Sequence, residues 1–185
     1  MYDTPLPLRQ RLKQATGPAH VSLEARIGPL ITQSAYNEYV RGLHAFRHTA
    51  EEWLSAHGFT AESVWTPQRI AHHLHDDIND LALTRLSVPA ITWAPAEGSS
   101  FVMGVHYVLE GSALGARVLC KQVEPLGLNR DHGARHLWAQ AASLESWRGF
   151  LTTLEQTERD EDALIAGANA AFNAAADAME RAAHV

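Results

Sequence analysis

Apolar residues recur at three- and four-residue intervals through most of the chain, the spacing of helices that bury one face. Leu8, Leu12, Ala15, Ala19 and Leu23 mark a first segment over about 8–25. Pro18 is awkward inside it, because a proline in a helix interior removes a hydrogen bond and costs about 3 kcal/mol. With Thr16 as an N-cap, Pro18 falls in a first turn where it is tolerated, so the pattern predicts two short helices or one kinked helix. Tyr39, Leu43, Phe46, Ala50 and Leu54 form the stripe of a second helix, with Ser34 as its expected cap and His57-Gly58 as its stop. Thr66-Pro67 is expected to open a third helix that buries Ile70, Leu74, Ile78 and Leu81. The proline-rich stretch 87–100 reads as a loop, and 125–133 as a second connection leading to a short helix and then to a helix over 143–154. A last helix over about 160–181 is rich in alanine, with a thin apolar face of Leu164, Ala168, Ala171, Phe172 and Ala175. No stretch alternates apolar and polar residues as a half-buried strand would, so the chain reads as all-α, a multi-helical bundle in one domain over 1–185.

The stretch 104–119 departs from an ordinary amphipathic helix. Val105, Val108, Leu109, Ala113, Leu114, Ala116 and Val118 supply an apolar surface, yet Gly104, Gly111 and Gly115 interrupt it. Each interior glycine costs about 1 kcal/mol relative to alanine, so something must use the missing side chains. Gly111 and Gly115 are four apart and leave a strip of bare backbone on one face, which suits close packing by another helix or by a flat ligand.

Composition narrows the class. A hydrophobic fraction of 46% with 19% charged residues belongs to a globular protein, and no apolar run approaches the length of a membrane span. The net charge of −6 argues against broad nucleic-acid binding, and the first residues carry no secretory pattern, which points to the cytoplasm. The single cysteine, Cys120, excludes an internal disulfide framework and is expected to pack. Among eleven histidines, His20 stands out, because Glu24 lies one helical turn on and on the same face. The pair reads either as a histidine held by a carboxylate or as an imidazole ligand whose second nitrogen the carboxylate orients, an arrangement suited to haem iron.

Two motifs make a family resemblance specific. The stretch 12–24, Leu-Lys-Gln-Ala-Thr-Gly-Pro-Ala-His-Val-Ser-Leu-Glu, resembles the proximal helix of biliverdin-forming haem oxygenases, particularly the bacterial branch associated with bacteriophytochromes. The stretch 107–119, Tyr-Val-Leu-Glu-Gly-Ser-Ala-Leu-Gly-Ala-Arg-Val-Leu, is similar to their distal helix, and Arg69, Leu74, Asp77, Ile78 and Leu81 give a weaker echo between them. The resemblance implies a haem-oxygenase-like bundle that holds haem between these two helices. It makes His20 the proximal ligand of the haem iron and Glu24 its polar partner. Gly111 and Gly115 become the distal backbone over the haem, and Ser112 a holder of distal water, the three forming the catalytic side. Lys13 matches a basic position near the haem propionates, with Arg9, Tyr107 and Arg148 as further propionate candidates and Ala116 as a further cofactor contact. The implied reaction cleaves haem, both cofactor and substrate, with O2 and electrons from an external reductase or ferredoxin, giving biliverdin, CO and Fe2+. The implied partners are haem, that electron-donor protein and a bacteriophytochrome receiving biliverdin, with no nucleic acid and no membrane.

The chain departs from the family pattern at three places. Ala116 replaces the second glycine of a usual pair, Gly17-Pro18 replaces polar helical residues before the histidine, and His106 sits beside the distal stretch. Ala116 keeps open an alternative, a non-catalytic haem- or bilin-binding carrier of the same fold. A third reading, a related helical scaffold for thiamine-type substrates or a di-iron site, needs a nucleophilic cysteine or facing carboxylates and histidines. His48 with Glu51 and Glu52, and His72 with Asp76, imitate metal-ligand spacing on helix faces.

Overall fold

A computed structural model describes residues 6–57, 65–93, 99–156 and 159–185. Among these residues seven helices run α1 Leu8–Ile27, α2 Gln33–Ala56, α3 Ala71–Asp80, α4 Ser99–Val123, α5 Arg135–Ala142, α6 Leu144–Gln156 and α7 Glu161–Ala182, with a 3-10 turn at Glu124–Leu126 between α4 and α5. No strand occurs among the described residues, in agreement with the all-α reading.

Helix α7 is the central element, packing against α1, α2 and α4. Its start is fixed by Asp160, whose Oδ1 accepts from the Ala163 amide at 3.0 Å, and Glu161 and Asp162 complement the helix dipole in the first turn. The alanines that look from sequence like a thin apolar face make α7 slender enough to have several neighbours, and Gly167, Ala168, Ala171, Ala175 and Ala178 are all buried. At its crossing with α4 the backbones nearly touch. A Cβ on Gly104 would overlap the Leu164 carbonyl oxygen, and one on Gly167 would overlap that of Phe101. A Cβ on Gly42 would likewise press against the backbone of Met179 where α2 crosses α7.

The start of α3 differs from the sequence expectation, because a carboxylate from another helix satisfies free backbone amides that a local cap would otherwise take. Helix α3 begins at Ala71 and not at Thr66-Pro67: Glu51 of α2 accepts from the amides of Ile70 (3.0 Å) and Ala71 (3.4 Å), and Gln68 donates its amide to Glu110 at 2.8 Å. Asp77 of α3, fully buried, does the same for α5, accepting from the amides of Arg135 (2.9 Å) and His136 (3.1 Å) and from His136 Nδ1 (2.8 Å). The cap of α2 is Thr32, whose hydroxyl accepts from Ala35, and not Ser34. Helix α1 is one helix that runs through Pro18. Thr16 is no cap: it is buried inside the helix, and its hydroxyl donates to the Leu12 carbonyl at 2.8 Å. The expected stop residue Gly58 and part of the 87–100 loop lie outside the described residues.

Candidate functional site

Helices α1 and α4 both rest on α7, and between them opens a cleft of about 560 Å³. Its α1 wall is Arg9, Lys13, Thr16, Gly17, His20 and Val21, residues that three- and four-residue spacing places on one face. The α4 wall is Tyr107, Gly111, Ser112 and Leu114, and Trp147 of α6 and Phe172 of α7 complete the lining. Both motif stretches therefore face one cavity. Val21 and Leu114 are 64% and 53% exposed, large apolar side chains bared beside a cavity, which mark a surface for an apolar ligand.

His20 meets the edge of the Phe172 ring, centroids 5.7 Å apart, and its Nδ1 lies 3.5 Å from a Glu24 carboxylate oxygen. Both side chains are largely exposed, and Nδ1 is the ring nitrogen nearer the carboxylate. Lys13 and Arg9 bring positive charge to the lining. Burial raises the Tyr107 phenol above its ordinary pKa, against a hydrogen bond with Thr16 and the charge of Arg9, so this residue enters the site neutral.

A polar network runs from the exposed Ser112 of the α4 wall to the buried Gln140 and Arg47 behind it. Ser112 donates its hydroxyl to the Leu109 carbonyl at 2.6 Å and accepts from Gln140 Nε2 at 2.6 Å. Arg47, nearly fully buried, donates to the same Leu109 carbonyl at 3.3 Å, to Gln68 O at 2.9 Å and to Glu51 at 2.9 Å. Burial lowers the Arg47 pKa, but the charges of Glu51 and Glu110 oppose the shift, and a guanidinium stays charged in such a site.

Of the residues singled out from sequence, His20, Lys13, Arg9, Tyr107, Gly111 and Ser112 line the cleft. Glu24 touches it only through His20. Gly115 is exposed beyond the lining, and a Cβ there would meet nothing within 4 Å, whereas one on Gly111 would sit 3.7 Å from the Trp147 ring. Arg148 is exposed on α6 beside Trp147 and outside the lining. Ala116 corrects the expectation of a cofactor contact: it is 1% exposed, on the buried stripe of Leu109, Ala113 and Val123, and its methyl belongs to the core. His106 is buried with its ring edge-to-face against Trp65, centroids 5.0 Å apart, and does not line the cleft. Cys120 packs half-buried, its thiol pushed up by burial. Among the described residues, no cluster of three or more histidine, cysteine or carboxylate side chains is placed to hold a metal ion, and Glu51 is occupied in capping α3. Thr16, Trp147, Phe172 and Gln140 were not singled out from sequence as site residues. Thr16 shares the His20 face at helical spacing, a usable signal, but the other three lie on helices whose approach to the cleft no local pattern encodes.

No family model matches the chain. The chain is similar to two curated bacterial proteins along most of both lengths. One is "Heme oxygenase PigA" of Pseudomonas aeruginosa, 29% identical over 189 residues, covering 93% of this chain and 91% of that one. The other is "Heme oxygenase" of Xanthomonas campestris pv. campestris, 27% identical over 164 residues, covering 87% and 92%. In fold it matches the NO- and CO-bound heme oxygenase of Neisseria meningitidis, with a TM-score of 0.71 over 98% of this chain and 94% of that one, at 23% identity. No helix among the described residues is long and apolar enough to cross a membrane. Along nearly its whole length the chain is thus similar to two bacterial haem oxygenases, it shares the fold of a third, and both of its motif stretches face one cleft.

Proposed function

We infer that this chain, over 1–185 as one unit, is a haem oxygenase that binds haem in the α1–α4 cleft and converts it to biliverdin, CO and Fe2+. One observation carries the reading: His20 on α1 and the Gly111-Ser112 backbone on α4 line the same cleft, with apolar walls and two cationic side chains. Haem, when bound, supplies the iron at which O2 is reduced and the ring that is cleaved. The lining fits its chemistry part by part. His20 offers one imidazole, with Glu24 holding Nδ1 so that Nε2 is presented as the ligand. Val21, Leu114, Phe172 and Trp147 cover an apolar ring face, and Arg9 and Lys13 pair with carboxylates at its edge. Gly111 has no side chain to hold a flat ligand away from α4. Ser112 holds water on that side as the carrier of protons. Electrons come from an external reductase or ferredoxin in the cytoplasm, and a bacteriophytochrome is the proposed receiver of biliverdin. The carrier alternative loses its motive, because the Ala116 methyl points into the core and not into the cleft.

Hemin added to purified protein should give a Soret complex that decays to a biliverdin band when reductant is supplied under air. A stable complex without bilin refutes catalysis, and no complex refutes haem binding. His20→Ala should abolish the proximal-ligand spectrum while leaving the melting temperature of the haem-free protein nearly unchanged, since the side chain is 55% exposed. An unaltered ferric spectrum rejects the assignment.

A further inference from the structure

Gln140 is a buried polar side chain that the reading above leaves unused. It lies on α5, 2% exposed, and its Nε2 reaches across to Ser112 Oγ at 2.6 Å. A serine hydroxyl has one proton to give and two lone pairs with which to accept. The proton is committed to the Leu109 carbonyl at 2.6 Å, and the buried Arg47 guanidinium polarises that carbonyl from 3.3 Å. One lone pair is committed to Gln140, an amide nitrogen that can only donate. What Ser112 has left for the cleft is one lone pair.

We propose that Gln140 is a positioning residue of the distal site, fixing the Ser112 hydroxyl so that it presents an acceptor, and not a donor, to water in the cleft. This rests on the functional reading above. A water that donates one O–H to Ser112 has its other O–H directed into the cleft, the polarity needed to deliver a proton to the far side of the site. Without Gln140 the serine is free to rotate, donate to the water and reverse that polarity. The arrangement could not be found from sequence, because Gln140 and Ser112 are 28 residues apart on different helices.

The test uses the ferric haem complex of the full chain and the pH midpoint of its visible spectrum, the transition at which water on the distal side loses a proton. An acceptor stabilises the protonated form, so Ser112→Ala should lower the midpoint by on the order of half a pH unit. Gln140→Leu should lower it in the same direction, and Gln140→Met serves if the leucine variant does not fold. Combining Gln140→Leu with Ser112→Ala should add nothing to Ser112→Ala alone, which a merely structural role for Gln140 would not produce. Equal shifts from Gln140→Leu with and without Ser112, or no shift where Ser112→Ala gives one, would overturn the proposal and leave the haem-oxygenase reading standing. Failure of the unaltered protein to form a haem complex would overturn both.

Discussion

Gly111→Ala should raise the stability of the haem-free protein while impairing haem binding. Alanine in place of an interior helical glycine contributes about 1 kcal/mol through helix propensity. The new methyl would lie 3.7 Å from two atoms of the Trp147 ring, an ordinary van der Waals contact, so nothing in the haem-free protein offsets that gain. For a chain of this length it corresponds to a rise in Tm of roughly 2–4 °C. The same methyl stands in the cleft, where a ring resting on bare α4 backbone would have to withdraw. An overpacking cost of about 1–3 kcal/mol weakens haem affinity roughly five- to more than a hundredfold. Thermal denaturation of the haem-free protein and hemin titration of the Soret band measure the two effects. Gly115→Ala is the control, expected to give a similar rise in Tm with affinity little changed, because nothing lies within 4 Å of its Cβ and it is outside the cleft lining. A lower Tm for Gly111→Ala, or a higher one with unchanged haem affinity, would refute the placement of α4 against the ligand.

Gly104→Ala should act in the opposite sense, since its Cβ would overlap the Leu164 carbonyl and sit 2.7 Å from the Ala168 amide nitrogen, backbone atoms that cannot rotate away. A net loss of about 3 kcal/mol, or roughly 6–12 °C in Tm, is expected, and a Tm at or above that of the unaltered protein would refute the α4–α7 crossing. His44 gives a pH prediction. Burial, with the charges of His48, Arg85 and His75 in the same direction, lowers its pKa to about 4, so the folded state keeps it neutral where the unfolded chain protonates near pH 6.5. The contribution is full above about pH 6.5 and is lost as pH falls towards 4, so stability should decline through that window. His106, also lowered to about 4, chiefly by burial, contributes with the same sign. His44→Gln should therefore reduce the slope by up to about 1.4 kcal/mol per pH unit without abolishing it, as measured by denaturant unfolding at pH 7 and 5. An unchanged slope would show that His44 takes up protons equally in the folded and unfolded states, and so is not lowered by burial.

What the sequence determined by itself is local. Periodicity marked the helices, since burying one face imposes a repeat of three and four, and the faces of His20 on α1 and of Gly111 on α4 could be read from the same repeat. Sequence alone could not rank the three glycines of α4. Gly104 packs against α7, Gly111 borders the cleft, and Gly115 is open, because each role depends on which helix or space lies opposite. The same limit misplaced Ala116, a neighbour in sequence of cleft residues whose side chain turns about 100° per position into the core. It also misplaced the start of α3, since the carboxylate satisfying its first amides belongs to Glu51, some twenty residues back. Tertiary structure alone made the alanine-rich last helix the centre of the bundle and brought Gln140 to Ser112. A helix's sequence records how much of its surface must be buried, but the identity of the surface that buries it is a property of the whole chain.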